Sequence, residues 1–435
     1  MNIREVIQEG FCVGCGACCI DKKNQIELNS YGMYSPIIDG DNDISEELAQ
    51  VCPFSGVGPN EDSIGLNYYG GALNHDAFIG YYESLYAGYV DEGFYRERAT
   101  SGGVVTWLLV ELKKLNKIDY VIHVKKSQDD NTVLFEYTIS ESTADIVSGA
   151  KSRYYPIELS EVMRIVKTRP GKYAFVGIPC FVKSVRLLMM SDKIIAERIR
   201  YCVGLVCGHL KSAEFARFFG WQVGIHPAKL EEIDFRIKLD GRSAEDYGVY
   251  LRGDGKEEIK RTREFFGFNW RNNLFRNPAC SYCDDVFAET ADIVVGDAWL
   301  PEYIMDSKGT SVIGVRNKEI DEIIKDAINS QKLKLETISD EKFIESQAGG
   351  VRDRRQGLAY RLWLRVQNGE VVPEKRVCPN DELPTLRKEI YNHRLRMEKL
   401  SHSLWRRAIE INDYDYFENI MSFHVAKAES FYKIS

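Results

Sequence analysis

Residues 12–19 read Cys-Val-Gly-Cys-Gly-Ala-Cys-Cys, and a Cys-Pro pair follows at positions 52 and 53. Three thiols spaced two residues apart can bind three irons of a 4Fe-4S cube, and a thiol from a distant Cys-Pro pair can complete the set. The intervening glycines allow the backbone to turn tightly and to direct N–H groups at sulfur. We therefore predict a redox protein with one 4Fe-4S cluster on Cys12, Cys15, Cys18 and Cys52.

Two other interpretations of these cysteines stay open from the sequence. One is zinc, although zinc sites usually present cysteines as separated pairs that meet at a tetrahedral ion. The other is that the thiols hold no metal. Cys19 is adjacent to a predicted ligand and should point away from the cluster, so we interpret it as a spare thiol, the alternative being that it replaces a ligand.

Composition and charge exclude several classes of protein. The 435 residues, 44% of them apolar, suffice for two or three domains with a buried core. A net charge of −8 without long basic runs argues against nucleic acid as a partner. The sequence shows no signal peptide and no stretch that could span a membrane, which predicts a cytoplasmic protein. In that compartment, eleven cysteines favour metal ligands over disulfides.

Four further cysteines stand in the larger, central part of the chain. Their contexts are Gly-Ile-Pro-Cys, Leu-Val-Cys-Gly and Cys-x-x-Cys, and two of them follow apolar stretches that predict strands. Spacing alone leaves a second cluster, half of a zinc site and ordinary buried cysteines as alternatives. The four residues are Cys180, Cys207, Cys280 and Cys283. Cys202 and Cys378 lack a ligand-like context and are interpreted as core or surface thiols.

The sequence pattern divides the chain into four parts: a small ferredoxin-like cluster module at 1–56, a connector at 57–80, a larger domain at 81–315 and a mainly helical extension at 316–435. The module should contain a hairpin around Asn29-Ser30 and a helix from Ile44 to Gln50. Strands are predicted at 82–90, 119–124, 133–139, 172–177, 200–206, 233–239, 247–252 and 293–297, and helices at 104–115, 159–167 and 181–190. This mixture predicts an α+β or irregular α/β fold rather than a regular doubly wound sheet.

One turn in the larger domain indicates a ligand. Thr100-Ser101-Gly102-Gly103 leads into the predicted helix at 104–115. Such a turn presents free backbone N–H groups and the positive end of the helix dipole, which suits a phosphate. By contrast, the acidic pair Asp284-Asp285 is interpreted as a solvated turn or helix start, the alternative being contact with magnesium or substrate.

Taken in order, these motifs resemble the beta subunit family of coenzyme F420 hydrogenases and dehydrogenases, which also includes ferredoxin-dependent chlorophyll-pathway reductases. The resemblance covers about residues 8–315. It is carried by Cys-x-Gly-Cys-Gly-Ala-Cys, Cys-Pro, Thr-Ser-Gly-Gly, Gly-Ile-Pro-Cys, Val-Cys-Gly, Cys-x-x-Cys and Ala-Asp-Ile-Val-Val-Gly-Asp, the last at 291–297.

The resemblance implies an FAD held beside a second 4Fe-4S cluster in a flavin-binding domain. The cluster would be bound by Cys180, Cys207, Cys280 and Cys283. The residues implied to bind the flavin cofactor are Thr100, Ser101, Gly102 and Gly103, together with Lys151, Ser152, Arg153 and Tyr154, which match a Ser-Lys-Tyr-like segment loosely. His209, two residues after Cys207, is a candidate proton donor, the alternative being a structural histidine.

Two clusters and a flavin would convert one-electron transfers into two-electron chemistry. We therefore predict an iron-sulfur flavin-dependent oxidoreductase that passes electrons between a ferredoxin-like carrier or a deazaflavin coenzyme and a small-molecule substrate. The alternatives are a non-catalytic electron-transfer subunit of a larger complex and a zinc-stabilised binding protein. A partner subunit or a homo-oligomer is compatible with each of these hypotheses, and the C-terminal extension could form the docking surface.

Overall fold

The computed structural model describes residues 1–21, 24–38, 46–128 and 133–434. Its strands, in chain order, are β1 (Gln25–Leu28), β2 (Tyr34–Ile37), β3 (Asn74–Asp76), β4 (Gly80–Tyr82), β5 (Ser84–Val90), β6 (Tyr120–Lys126), β7 (Phe135–Ser140), β8 (Tyr173–Gly177), β9 (Ile199–Leu205), β10 (Leu230–Ile237), β11 (Gly248–Gly253), β12 (Lys256–Arg261), β13 (Ile293–Asp297), β14 (Ser311–Val315) and β15 (Leu333–Thr337).

The α-helices, in chain order, are α1 (Ile3–Gln8), α2 (Glu46–Gln50), α3 (Glu61–Tyr69), α4 (Tyr95–Arg98), α5 (Val104–Lys114), α6 (Thr143–Ser148), α7 (Ser160–Thr168), α8 (Pro179–Ser191), α9 (Lys193–Arg198), α10 (Glu214–Gln222), α11 (Pro301–Ile304), α12 (Lys318–Asn329), α13 (Asp340–Glu345), α14 (Ala348–Arg352), α15 (Leu358–Gln367), α16 (Thr385–Ile411) and α17 (Tyr414–Ile434).

An eight-stranded mixed sheet, in the order β15-β5-β14-β13-β9-β8-β6-β7, organises the larger domain. Its four central strands, β13, β9, β8 and β6, run parallel to one another. Each of the outer strands pairs antiparallel with its neighbours. Because both faces of the central strands are buried, these strands read as continuous apolar runs in the sequence. The prediction of a mixed α/β fold is confirmed.

Helices cover both faces of this sheet. Alternate strand residues such as Ala174 and Val203 pack against α5 and α12 on one face. Their neighbours Phe175 and Cys202 pack against α7 and α8 on the other. This alternation is the two-residue period of a strand buried between two layers. The N-terminal module lies on the second face, where the start of α8 meets its cysteine loop.

A second, antiparallel sheet of β10, β11 and β12 packs with α10 and the helical pair α16 and α17. Aromatic side chains fill the space between them, among them Phe218, Phe275, Trp405 and Phe417. The C-terminal region is therefore mainly helical, as predicted. Among the residues described, none of the helices combines the length and apolarity that crossing a bilayer requires.

The N-terminal hairpin is confirmed, with β1 and β2 pairing on either side of the turn at Asn29. The predicted helix before Cys52 is α2, but its predicted start at Ile44 lies outside the described residues. Two features differ from the predicted division of the chain. The stretch 57–80 contains α3 and a small β3–β4 pair, because the Asn60 cap and the burial of Ile64 and Tyr69 outweigh its polar composition. Strand β15 extends the main sheet beyond residue 315, where pairing with β5 holds a largely polar edge strand.

Candidate functional site

The four N-terminal cysteines predicted as ligands surround one pocket. Its lining includes the apolar side chains of Phe11, Val13 and Phe54 together with the thiols of Cys12, Cys15, Cys18 and Cys52. The fifth thiol, Cys19, instead donates toward the backbone oxygen of Gln25 at 3.4 Å. The Cys19 Sγ also lies 3.9 Å from the Sγ of Cys18, so its assignment as a spare thiol stays a prediction.

The backbone between the first thiols follows a tight course that glycine permits. Gly14 has a φ of +70°, and its N–H donates to the Sγ of Cys12 at 3.3 Å. A Cβ at this position would lie 2.4 Å from the backbone oxygen of Tyr34, so any larger residue would displace β2. The N–H of Gly14 is thus one of the backbone donors that the sequence predicts to face sulfur.

Burial and the neighbouring thiols oppose ionisation of each thiol unless a positive charge lies among them. Burial raises the pKa of Cys15 to about 12 and that of Cys52 to about 11, and neighbouring thiols add to both increases. Burial likewise holds the pKa of Cys12 well above its ordinary value. Thiolates in such surroundings require positive charge at the centre of the set, which metal ions supply.

The four later cysteines also meet, from three separate segments. Cys180 begins α8, Cys207 follows β9, and Cys280 and Cys283 lie on and just after the short 3-10 turn Pro278–Tyr282. Burial raises the pKa of Cys180 well above its ordinary value, and Cys283, Cys207 and Cys280 raise it further because all three thiols are close to it. The N–H of Leu210 donates to the Sγ of Cys280 at 3.2 Å.

Both sets fit an iron-sulfur cube by the chemistry of their donors. Each offers four cysteine thiols outside any disulfide, in an apolar setting. Within residues 1–21, 24–38, 46–128 and 133–434, no three Cys, His, Asp or Glu side chains converge on a single ion.

Buried arginines from distant parts of the chain surround the second set. Arg354 donates to the backbone oxygens of Gly208 at 2.7 Å and Asp285 at 2.9 Å. Burial alone would lower its pKa, but the carboxylate of Asp353 and the acidic groups around it hold the pKa of the guanidinium above its ordinary value. It lies in a π-helical turn between α14 and α15, and such turns are frequent at functional sites. Sequence reasoning missed Arg354 because an isolated arginine in a helix carries no motif.

The two sets of thiols are neighbours. Cys15 of the first set contributes to the raised pKa of Cys180 of the second. Tyr137 is buried beside both of these thiols, and its hydroxyl donates to the backbone oxygen of Val176 at 3.1 Å. The first and second sets therefore form one continuous region across the face of the sheet.

The Ser-Gly-Gly turn forms the N-terminus of α5 and meets the segment at 151–154. The hydroxyls of Thr100 and Ser152 are 3.0 Å apart. Gly103 caps α5 with a φ of +85°, and a Cβ there would lie 2.6 Å from the backbone of Tyr95. The structure thus brings two of the sequence-predicted residues together and gives Gly103 a backbone reason for being glycine.

A small pocket beside Thr100 is lined by cationic and hydroxyl side chains. Lys238 donates to the backbone oxygens of Arg96 at 2.6 Å and Ser101 at 3.0 Å, and no carboxylate of the described residues pairs with it. Burial and the neighbouring cations Arg96 and Lys151 lower its pKa to about 7. The remaining lining includes Arg236, Ser243, Tyr247 and Ser307. Asp246 also lines the pocket and pairs with Arg261 at 2.7 Å, while Arg236 pairs with Asp297 at 2.7 Å, so Lys238 is the lining cation that could meet an oxyanion.

The other members of the 151–154 segment diverge. Lys151 pairs with Asp234 at 3.3 Å and is close enough to Lys238 to lower its pKa. Arg153 lies over the ring of Phe135 at 5.0 Å and donates to the backbone oxygen of Ser152 at 3.4 Å. Tyr154 is treated with the aromatic residues below.

A run of aromatic contacts connects this pocket with the second set of thiols. The ring of Tyr154 lies 4.7 Å from Trp270, which lies 4.5 Å from His209. His209 is half-buried, its buried Nε2 has no hydrogen-bond partner among the described residues, and desolvation lowers its pKa well below the ordinary value. It is therefore a neutral imidazole next to Cys207, with one ring nitrogen available to a ligand.

The interpretation of Asp284-Asp285 as a solvated turn is wrong. Both residues are buried, with exposures of 4% and 2%. Arg376, from the segment after α15, inserts between Asp284 and Glu289 and forms two hydrogen bonds with Glu289, at 2.6 and 2.8 Å. Arg376, which is remote in sequence, pairs with Asp284 at 3.4 Å, and the carboxylate of Asp285 accepts the N–H of Glu289 at 3.0 Å, so both acidic side chains have partners in the interior.

The fold brings eight cysteines into two neighbouring sets beside one face of the mixed sheet. Comparison gives the family. Residues 85–164 match the model of the coenzyme F420 hydrogenase/dehydrogenase beta subunit N-terminal part, and residues 171–341 match that of the C terminus. Together these matches cover more than half of the chain. It belongs to this family, which confirms the resemblance found in the sequence.

Two curated relatives come from Methanocaldococcus jannaschii. A coenzyme F420-dependent sulfite reductase is 24% identical over 354 residues, which are 76% of this chain and 49% of that protein. An uncharacterised protein is 25% identical over 234 residues, which are 51% of this chain and 57% of that protein. The chain thus spans about half the length of the curated relatives it matches. The first of these relatives is named for a redox reaction, the reduction of sulfite.

A solved structure shares the fold. It is a chain of the F420-reducing NiFe hydrogenase complex of Methanosarcina barkeri, with a TM-score of 0.52 and 15% identity over 69% of this chain and 98% of that chain. Cys180, Cys207, Cys280 and Cys283 lie within the C-terminal family match. The first set of thiols precedes both family matches.

Proposed function

We propose that the protein is an iron-sulfur flavin-dependent oxidoreductase with two 4Fe-4S clusters and FAD. One observation carries this proposal: two sets of four thiols adjoin each other, and the second set continues through His209, Trp270 and Tyr154 to a cationic pocket. Such a series can carry single electrons from the surface module to a two-electron cofactor in the larger domain.

The residues that would hold FAD are those of the cationic pocket and the turn next to it. Thr100 and Ser152 offer hydroxyls, Gly102 and Gly103 allow close backbone approach at the start of α5, and Lys238 supplies positive charge to phosphate oxygens. When bound, the flavin supplies storage of two electrons and hydride exchange with an organic substrate.

The protein's own residues contribute orientation, charge compensation and proton handling. Arg354 would offset the negative charge of a cluster on the second set. The neutral imidazole of His209 can accept or donate a proton at Nε2 without carrying a permanent charge. Because Trp270 lies against the His209 ring, the imidazole is held in one orientation.

We propose coenzyme F420 or a ferredoxin-like carrier as the redox partner, because both named relatives are F420-linked. The small-molecule substrate belongs to the same proposal. The test is an anaerobic preparation of the full chain, with iron and sulfide quantified and flavin released by denaturation. We expect about eight irons and one flavin per chain, and reduction of the bound flavin by reduced F420 or reduced ferredoxin. Stoichiometric zinc, or flavin without iron, would contradict the proposal.

A second candidate function is an electron-transfer subunit that docks on a larger enzyme. The outer side of α17 favours it, since Phe423 is 70% exposed and Ile420 is 37% exposed on the same helix, three residues apart. The discriminating measurement is turnover by the isolated chain: electron transfer from F420 to a soluble acceptor supports the enzyme, and a reduced but non-turning-over chain supports the subunit.

A further inference from the structure

Ser184 lies between the two sets of thiols. It is fully buried on α8, one turn after Cys180. Its Oγ is 2.8 Å from the backbone oxygen of Cys180 and 3.3 Å from the Sγ of Cys15. One hydroxyl therefore touches a thiol of the first set and the backbone of a residue of the second.

The bond to Cys180 taken alone is an ordinary feature of helices, in which serine hydroxyls often donate to the carbonyl four residues earlier. The contact with Cys15 is different, because it joins residues 169 positions apart. The hydroxyl carries a single hydrogen, so it can donate to the carbonyl or to the sulfur, and a rotation about χ1 or the C–O bond exchanges the two acceptors.

We propose that Ser184 is a positioning residue that sets the reduction potential of the first cluster relative to the second. This inference rests on the proposed function, in which Cys15 ligates the first cluster. Hydrogen bonds to ligand sulfur raise the potential of an iron-sulfur cluster, because the reduced cluster carries one more negative charge and accepts the stronger bond.

The electron and proton balance is simple. When one electron moves from the first cluster to the second, the first is oxidised by one electron and the second is reduced by one. The hydroxyl proton stays on the Oγ of Ser184 throughout. Loss of negative charge at Cys15 weakens its bond to the hydroxyl, which then favours the carbonyl of Cys180. The bond to Cys15 would thus raise the midpoint potential of a cluster on the first set and make electron transfer from it to the second less favourable.

The test is a redox titration of the full chain, monitored by EPR under anaerobic conditions, with Ser184→Ala and Ser184→Cys. The matched control is Ser191→Ala on the same helix, whose hydroxyl donates to the carbonyl of Leu188 at 3.1 Å. We expect full iron content, a lower midpoint of the first cluster in Ser184→Ala, a smaller decrease in Ser184→Cys with its weaker donor, and an unchanged second midpoint. The control should match the unmodified chain.

Unchanged midpoints in Ser184→Ala, or equal shifts of both clusters, would overturn the inference and leave the proposed function intact. If Ser184→Ala loses its iron, Ser184→Cys becomes the test, because it keeps a side chain of similar volume. An unchanged midpoint of the first cluster in Ser184→Cys would then overturn the inference. An unmodified chain that holds no cluster on Cys15 overturns both the inference and the proposed function.

Discussion

The guanidinium of Arg354 donates to the backbone oxygen of Gly208 at 2.7 Å, and so fixes the residue that directly follows Cys207. A side chain from the C-terminal region therefore completes the surroundings of thiols that lie up to 174 positions earlier in the chain. The loop after β9 could not be held in this way by its own short segment. The surroundings of the second set of thiols therefore depend on the C-terminal extension as well as on the larger domain.

Replacing Arg354 by Gln should lower the potential of the second cluster. A buried positive charge stabilises the more negative, reduced state, and its loss should shift the midpoint by about 60 mV, a tenfold change for one electron. EPR-monitored titration measures the shift. Arg352→Gln, an exposed position in the preceding turn, serves as the control. Equal midpoints in the two variants would contradict the role given to Arg354.

Replacing Cys15 by Ser should remove the first cluster and leave the second. The iron content should fall from about eight to about four per chain, with flavin retained. Cys19→Ser is the matched control, because Cys19 is buried in the same loop but directed at the backbone of Gln25. A loss of iron from Cys19→Ser equal to that from Cys15→Ser would show that the spare-thiol assignment is wrong.

Gly14→Ala should disrupt the first cluster without touching a thiol. The positive φ costs an L residue about 1 kcal/mol or more, and the added Cβ collides with the backbone of Tyr34. Iron analysis and thermal unfolding should both register the change. Gly71→Ala, where a Cβ would meet no atom within 4 Å, should behave like the unmodified chain.

Binding of FAD should weaken as pH rises through neutrality. Lys238 has a pKa lowered to about 7, so it loses its charge above that pH in the free protein. An oxyanion favours the ammonium form, and affinity should therefore fall between about pH 6 and about pH 8, by up to tenfold per unit above the pKa. Fluorescence titration with FAD measures this dependence.

Two variants isolate the contribution of Lys238. Lys238→Arg keeps its charge across this range and should flatten the pH profile. Lys308→Arg, at an exposed position near the same pocket, should leave the profile unchanged. An identical pH profile in Lys238→Arg and the unmodified chain would refute the assignment of the oxyanion to Lys238.

Arg376→Met should destabilise the fold by roughly 3–5 kcal/mol, because it leaves the buried Glu289 and Asp284 without their cation. Thermal or denaturant unfolding measures this loss. Lys388→Met removes a partly exposed pair with Asp381 and should change stability by less than about 1 kcal/mol. Similar losses of stability in both variants would show that the ion pairs of Arg376 contribute no more to folding than the partly exposed pair of Lys388.

The sequence predicted much of the fold because strongly buried strands and helices show a clear apolar pattern in the sequence. Strand β13 was expected at 293–297 and is found at Ile293–Asp297, and α7 and α8 begin within two residues of their predicted starts. Prediction failed where burial depends on a distant partner. The polar edge strand β15 is held by β5, and the buried Asp284 pairs with Arg376.

The sequence by itself determined the candidate ligands, because cysteine spacing in a loop reflects the local geometry of a cluster. It also determined the family, through the order of its motifs. Only the tertiary structure decided that the two sets of thiols adjoin, that Ser184 touches both, and that Arg354 and Lys238 supply charge. Lone serines, lysines and arginines carry no spacing signal, and their roles arise from contacts between segments that only the folded chain brings together.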